Sequence, residues 1–131
     1  MGIGGSGMSS IAKYLKQKGY HVEGYDQRIS YITNILENDG VRTYQNYEDF
    51  IYEKDVLYII SSAVNLDNTF LKNFKKNKNV ISRPNFFKEL SNEKDIIGIT
   101  GTHGKTSTTA LVSHIFHFNN KNVSYIYGGV S

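Results

Sequence analysis

The chain has 131 residues, enough for one ordinary domain and short for two. With 39% hydrophobic and 21% charged residues it has a globular composition, no apolar run nears the ~20 residues of a membrane span, and no signal-like start is visible. The absence of cysteine excludes disulfides and thiolate metal sites, and the +3 net charge alone does not make a nucleic-acid binder.

The chain opens on Gly2-Ile3-Gly4-Gly5-Ser6-Gly7, which satisfies G-x-G-x-x-G, and Met8, Ile11, Ala12 and Leu15 follow at helical spacing up to Gly19. Tyr20 to Asp26 alternates as a strand and ends in an acid, where a dinucleotide fold places its ribose-binding carboxylate. Only Met1 precedes the first glycine. The expectation is therefore an N-terminally truncated piece, or a misplaced start, whose sheet lacks its first strand.

A helix is predicted over Ser30 to Asn38 with Gly40 as its stop, then a short strand Val41 to Tyr44. Asp55 to Ile60 contains a continuous apolar run, the mark of a central parallel strand, and it empties into Ser61-Ser62-Ala63. Loops at the carboxyl ends of such strands bind ligands. Asn68 to Asn77 reads as a helix, Asn79 to Ser82 as a strand and Phe86 to Leu90 as a short helix. The basic block Lys72 to Lys78, with no arginine and one aromatic, reads as a solvated helix end. Ser91 to Asp95 is the best linker. It divides a unit over 1–90 from one over 91–131.

The second unit offers a strand over Ile96 to Ile99, a glycine-bounded turn, a helix from Lys105 to about Phe118, a turn at Asn119 to Asn122, and a strand over Val123 to Tyr127. Two strands and a helix cannot bury a core of their own, so this unit reads as the incomplete start of a domain. His114 and His117 are read as helix-face residues, not a metal pair.

Gly101-Thr102-His103-Gly104-Lys105-Thr106 has the composition of a phosphate cradle. Backbone amides of the turn and first helical turn converge on one locus, a lysine reaches the β/γ-phosphates, and a threonine hydroxyl binds Mg²⁺. A strict P-loop needs glycine where this chain has Ile99. Two phosphate-binding turns in one chain suit a ligase that joins a nucleotide-linked substrate using ATP. A dehydrogenase-like NAD(P) module would leave the Gly-Lys-Thr loop without a role.

Gly2 to Ser9, Gly24-Tyr25-Asp26, Ser61-Ser62-Ala63, Asp67-Asn68 and Gly101 to Thr106, in this order and spacing, resemble the Mur ligases of peptidoglycan synthesis. The resemblance covers essentially the whole chain, and the T-G-T-H-G-K-T form is the one this family uses. Arg83-Pro84-Asn85-Phe86-Phe87 resembles the family's R-A-E-M-L linker only at Arg83 and in its helical tendency. The resemblance implies a Rossmann-like parallel-sheet domain followed by the start of a P-loop ATP-binding α/β domain. It implies Gly4, Gly5, Ser6, Gly7 and Met8 on the diphosphate of UDP-N-acetylmuramate, Asp26 near the uridine, and Ser61, Ser62, Ala63 and Asn68 lining the same site. Asp26 as a plain turn residue and Asn68 as a helix cap stay open beside those roles.

It further implies an ATP site over Gly101, Thr102, His103, Gly104, Lys105, Thr106 and Ser107. Lys105 would act on the transferring phosphate and Thr106 would ligate Mg²⁺; His103 either approaches the phosphates or points to solvent, and Ser107 doubles as a helix-start residue. L-alanine is the implied second substrate, with the murein tripeptide ligase of the same family as the alternative. The implied setting is cytoplasmic, with neither nucleic acid nor membrane as partner.

Overall fold

The computed structural model describes residues 1–49, 53–64 and 79–127. The expected helix over Asn68 to Asn77, the basic block Lys72 to Lys78, Asp67-Asn68 and Gly128-Gly129 lie outside the described residues. The elements run α1 (Ser6–Gln17), β1 (Glu23–Tyr25), α2 (Tyr31–Asn38), β2 (Arg42–Tyr44), a 3-10 turn (Tyr47–Asp49), β3 (Tyr58–Ile60), β4 (Val80–Ser82), α3 (Arg83–Glu93) and α4 (Lys105–Phe118).

All pairing is parallel: β1 lies beside β2 with Gly24 opposite Thr43, and β3 beside β4 with Ile59 opposite Ile81. Parallel strands need crossover connections, and α2 supplies one between β1 and β2. The two strand pairs are joined through Met1–Ile3. The Met1 amine donates to the Ile59 carbonyl (2.6 Å) and Ser61 N–H donates to the Met1 carbonyl (3.1 Å), the pattern of a parallel bridge in which one residue is held between two of its neighbour. On the other side Gly2 and Ile3 N–H both donate to the Tyr25 carbonyl (2.7 and 3.0 Å). The order across the sheet is therefore β2, β1, Met1–Ile3, β3, β4. No strand is assigned at that position, in keeping with the expectation of a missing first strand, but Met1–Ile3 make four hydrogen bonds there, two to each strand pair.

The helices stop and start for local reasons. Gly19 (φ +88°) and Gly40 (φ +78°) take the left-handed conformation that ends α1 and α2. Ser30 and Thr33 close a reciprocal capping box at the start of α2, worth about 1 kcal/mol by analogy with measured caps. Helix α3 begins three residues before the expected Phe86, because Ser82 caps it and Pro84 sits in its first turn, where a missing N–H costs nothing. It also runs on to Glu93, so three of the five residues of the expected linker are helical.

The core follows the same logic. Ile3, Ala12, Leu36 and Val41 form one buried cluster between α1, α2 and the sheet, and Met8, Ile11 and Phe86 form another between α1 and α3. At Gly24 a Cβ would overlap the Ile3 side chain, so that strand position is bare to let Ile3 into the core.

Ile96–Ile99 and Val123–Tyr127 form no ladder with each other or with another described strand, which corrects the expectation of two strands. Apolar composition favours a strand only where a partner supplies hydrogen bonds, and here Ile96, Ile97, Val123 and Tyr125 are exposed. Helix α4 buries none of its residues.

Candidate functional site

The chain leaves Met1–Ile3 toward β1 on one side and returns to β3 on the other. Such a reversal opens a crevice at the carboxyl ends of the strands. The loops that reach it are Gly2–Ser6, Asp26–Ser30 and Ser61–Val64, with Arg83 just beyond β4.

Gly2 (φ +77°) turns the chain so tightly against the next loop that a Cβ there would stand 3.0 Å from Ser61 Cβ and from Val64 Cγ2. Gly5 N–H closes the turn on the Gly2 carbonyl (3.1 Å). Gly4 N–H donates to Asp26 Oδ2 (2.8 Å), and Arg28 N–H donates to Asp26 Oδ1 (3.1 Å). Asp26 thus fastens the glycine turn to the end of β1, while each carboxylate oxygen keeps capacity for a further donor such as a hydroxyl. A Cβ on Gly4 would stand 2.9 Å from Asp26 Oδ2, which accounts for glycine at that position.

These bonds divide the amides expected to face a diphosphate. Those of Gly4 and Gly5 are engaged inside the protein; those of Ser6 and Gly7 open α1, where no preceding turn offers a carbonyl. Met8 and Ser9 N–H return to the Gly5 carbonyl, and the Met8 side chain is buried in the core. Gly5 as N-cap makes no side-chain capping bond, and the first turn of α1 has no acidic residue. The nearest anion is the Asp26 carboxylate on Gly4 N–H, one residue before the cap, and no side chain of α1 itself offsets its positive end.

Ser61, Ser62 and Ala63 form the opposite rim as a turn, with Val64 N–H on the Ser61 carbonyl (3.2 Å) and Ala63 N–H on Ser61 Oγ (3.3 Å). Asn68 lies outside the described residues. Arg83, the position that matches the family's linker and to which the resemblance assigns no role at the site, has its side chain along Gly7, so that a Cβ on Gly7 would collide with Nη1 and stand 3.4 Å from Cζ.

The Met1 amine lies under this crevice. Burial lowers its pKa from 8.0 to about 5, an effect partly opposed by the Asp26 carboxylate. At the far end of β1, Glu23 is held below its ordinary value, first by the Tyr44 hydroxyl that donates to it (2.8 Å).

The second locus is the loop before α4. Gly104 is its N-cap in the left-handed conformation (φ +76°), which a side chain would strain, and Thr108 N–H makes the first return bond to the Gly104 carbonyl (2.9 Å). The amides of Lys105, Thr106 and Ser107 therefore have no helical acceptor. Lys105 Nζ folds back onto the carbonyls of Gly101 (2.6 Å) and Thr102 (3.2 Å). A cation tethered only to neutral carbonyls beside unpaired amides fits a phosphate group. Thr106, in the first helical turn, carries a hard oxygen donor suited to Mg²⁺. Thr102 and His103 are exposed.

A parallel sheet with a glycine turn and an acid at its reversal, plus a second glycine-bounded loop opening a helix, defines a Rossmann-like α/β fold. A family model described as "Mur ligase family, catalytic domain" matches residues 1–95. A protein of Christiangramia forsetii named UDP-N-acetylmuramate--L-alanine ligase is 35% identical over 100% of this chain and 31% of its own length. One of the same name from Ruthia magnifica is 38% identical over 99% of this chain and 28% of its own. The crystal structure of UDP-N-acetylmuramate-alanine ligase from Thermotoga maritima superposes with a TM-score of 0.84 at 30% identity, over 99% of this chain and 31% of that one. The chain belongs to the Mur ligase family. It spans less than a third of the length of these relatives.

Proposed function

We propose that this chain supplies the UDP-substrate crevice and the ATP-phosphate loop of a UDP-N-acetylmuramate--L-alanine ligase, an enzyme of peptidoglycan synthesis in the cytoplasm. The observation that carries the reading is the presence of both loci in one chain that aligns along its whole length with proteins of that name. Residues 1–90 would form the UDP-substrate part, and 91–131 the connection and start of the ATP part.

In this reading Ser6 and Gly7 amides bind the diphosphate, Gly4 and Gly5 shape the turn, and Asp26 accepts from the ribose or base. Ser61, Ser62 and Ala63 close the other rim. At the second locus the amides of Gly104 to Ser107 hold ATP phosphates, Lys105 leaves its carbonyls to neutralise charge on the transferring group, and Thr106 contributes a ligand to Mg²⁺. The metal, when bound, adds charge neutralisation on the phosphates. Phosphoryl transfer to the muramate carboxylate needs positioning and charge neutralisation more than covalent help from the protein, and these residues are of that kind. The amine of L-alanine would then attack the acyl carbon, forming the amide and expelling inorganic phosphate.

Calorimetric titration of the 131-residue chain with UDP-N-acetylmuramate, Mg-ATP and NADH tests the reading. Weak but saturable binding of the first two is expected. Saturable binding of NADH alone would replace the ligase by a dehydrogenase-like module.

A further inference from the structure

Arg83 stands where electrostatics alone would not put it. Its guanidinium lies against Gly7 in the first turn of α1, the positive end of a helix whose leading amides, those of Ser6 and Gly7, have no acceptor within the helix. No described carboxylate pairs with it; the described ion pairs are Lys13 with Asp39 and His21 with Glu23. The packing secures the position from both sides. Arg83 is the first residue of α3, fixed by the Ser82 cap and by Phe86 in the core, and Gly7 is bare where Nη1, Cζ and Cδ pass. A cation and a helix N-terminus repel each other until an anion lies between them, and two adjacent donor sets suit two adjacent phosphates.

We propose that Arg83 is a diphosphate-binding residue of the crevice, gripping a nucleoside diphosphate against the amides of Ser6 and Gly7. The proposal rests on the reading of that crevice as the UDP-substrate site, and adds to it a side chain from the far end of the sheet. Gly7 is part of the same device, since any larger residue displaces the guanidinium.

The test is titration of the 131-residue chain and its Arg83→Gln, Arg83→Lys and Gly7→Ala variants with UDP and with uridine, with a thermal melt of each. Arg83→Gln should weaken UDP binding about 10- to 100-fold, the range for loss of a charged hydrogen bond, and leave uridine binding unchanged. Arg83→Lys should recover part of the loss, because it keeps the charge but not the planar fork. Gly7→Ala should weaken UDP binding and add little in the Arg83→Gln background. Unchanged UDP binding by Arg83→Gln overturns the proposal and leaves the site standing. Equal loss of UDP and uridine also overturns it, because the residue would then be structural. Wild-type chain that binds neither removes the crevice reading itself.

Discussion

Lowering the pH from 8 to 5 is expected to destabilise the chain with a free Met1 amine, and blocking that amine is expected to remove this part of the pH dependence. The amine is buried against the Ile59 carbonyl, and its pKa falls from 8.0 to about 5. Between these values the unfolded chain binds a proton that the folded chain refuses. Stability therefore rises with pH: the contribution is complete above 8, is lost as pH falls through the window, and is flat below 5. The gap corresponds to about 4 kcal/mol at most, a large part of the stability of a small domain. Urea unfolding at pH 5, 6.5 and 8 measures it. The N-acetylated chain, or one with a residue ahead of Met1, carries an amide there and should lack this rise; an identical slope would show that the buried amine is not its source.

The second large effect concerns Lys105. In a full-length ligase carrying this segment, Lys105→Ala should lower kcat for ADP formation by about 10²- to 10³-fold, the usual result of deleting one donor to developing transition-state charge. Lys105→Arg should not restore it fully, since the compact ammonium is held by two loop carbonyls that a planar guanidinium cannot both meet in the same way. The fold should survive either change because Lys105 and its loop are exposed and contribute nothing to the buried clusters. Steady-state ADP release decides the matter, and a rate within a few-fold of wild type would remove Lys105 from the chemistry.

Much of this was legible in the chain. Met8, Ile11 and Ala12 recur at helical spacing and are buried together on one face of α1, and Gly19 and Gly40 stop helices by the left-handed turn that glycine favours. The glycine turn, Asp26 and Ser61–Ala63 meet at one crevice because strand ends in a parallel sheet share an edge. What was not legible is non-local. Nothing in Ile96–Ile99 says that no strand will pair with it, and local apolarity alone reads as burial. Pro84 looks like a break in sequence, yet in the first turn of α3 it is at home. The split between Gly4 and Gly5, whose amides are used internally, and Ser6 and Gly7, whose amides are not, depends on which way each N–H points. The approach of Arg83 to Gly7 joins opposite ends of the first unit, and no spacing rule encodes it.

Helix α4 has a practical consequence for every titration above. Leu111, Ile115 and Phe118 are 64%, 59% and 78% exposed and recur at helical spacing, so they form a greasy stripe facing water. With a net charge of only +3, the chain has weak colloidal repulsion to oppose contact between such stripes. Self-association will compete with ligand binding as concentration rises, and salt will promote it by screening what repulsion there is. Dilute protein at low ionic strength is therefore the regime in which the two phosphate loci can be compared as properties of a single molecule.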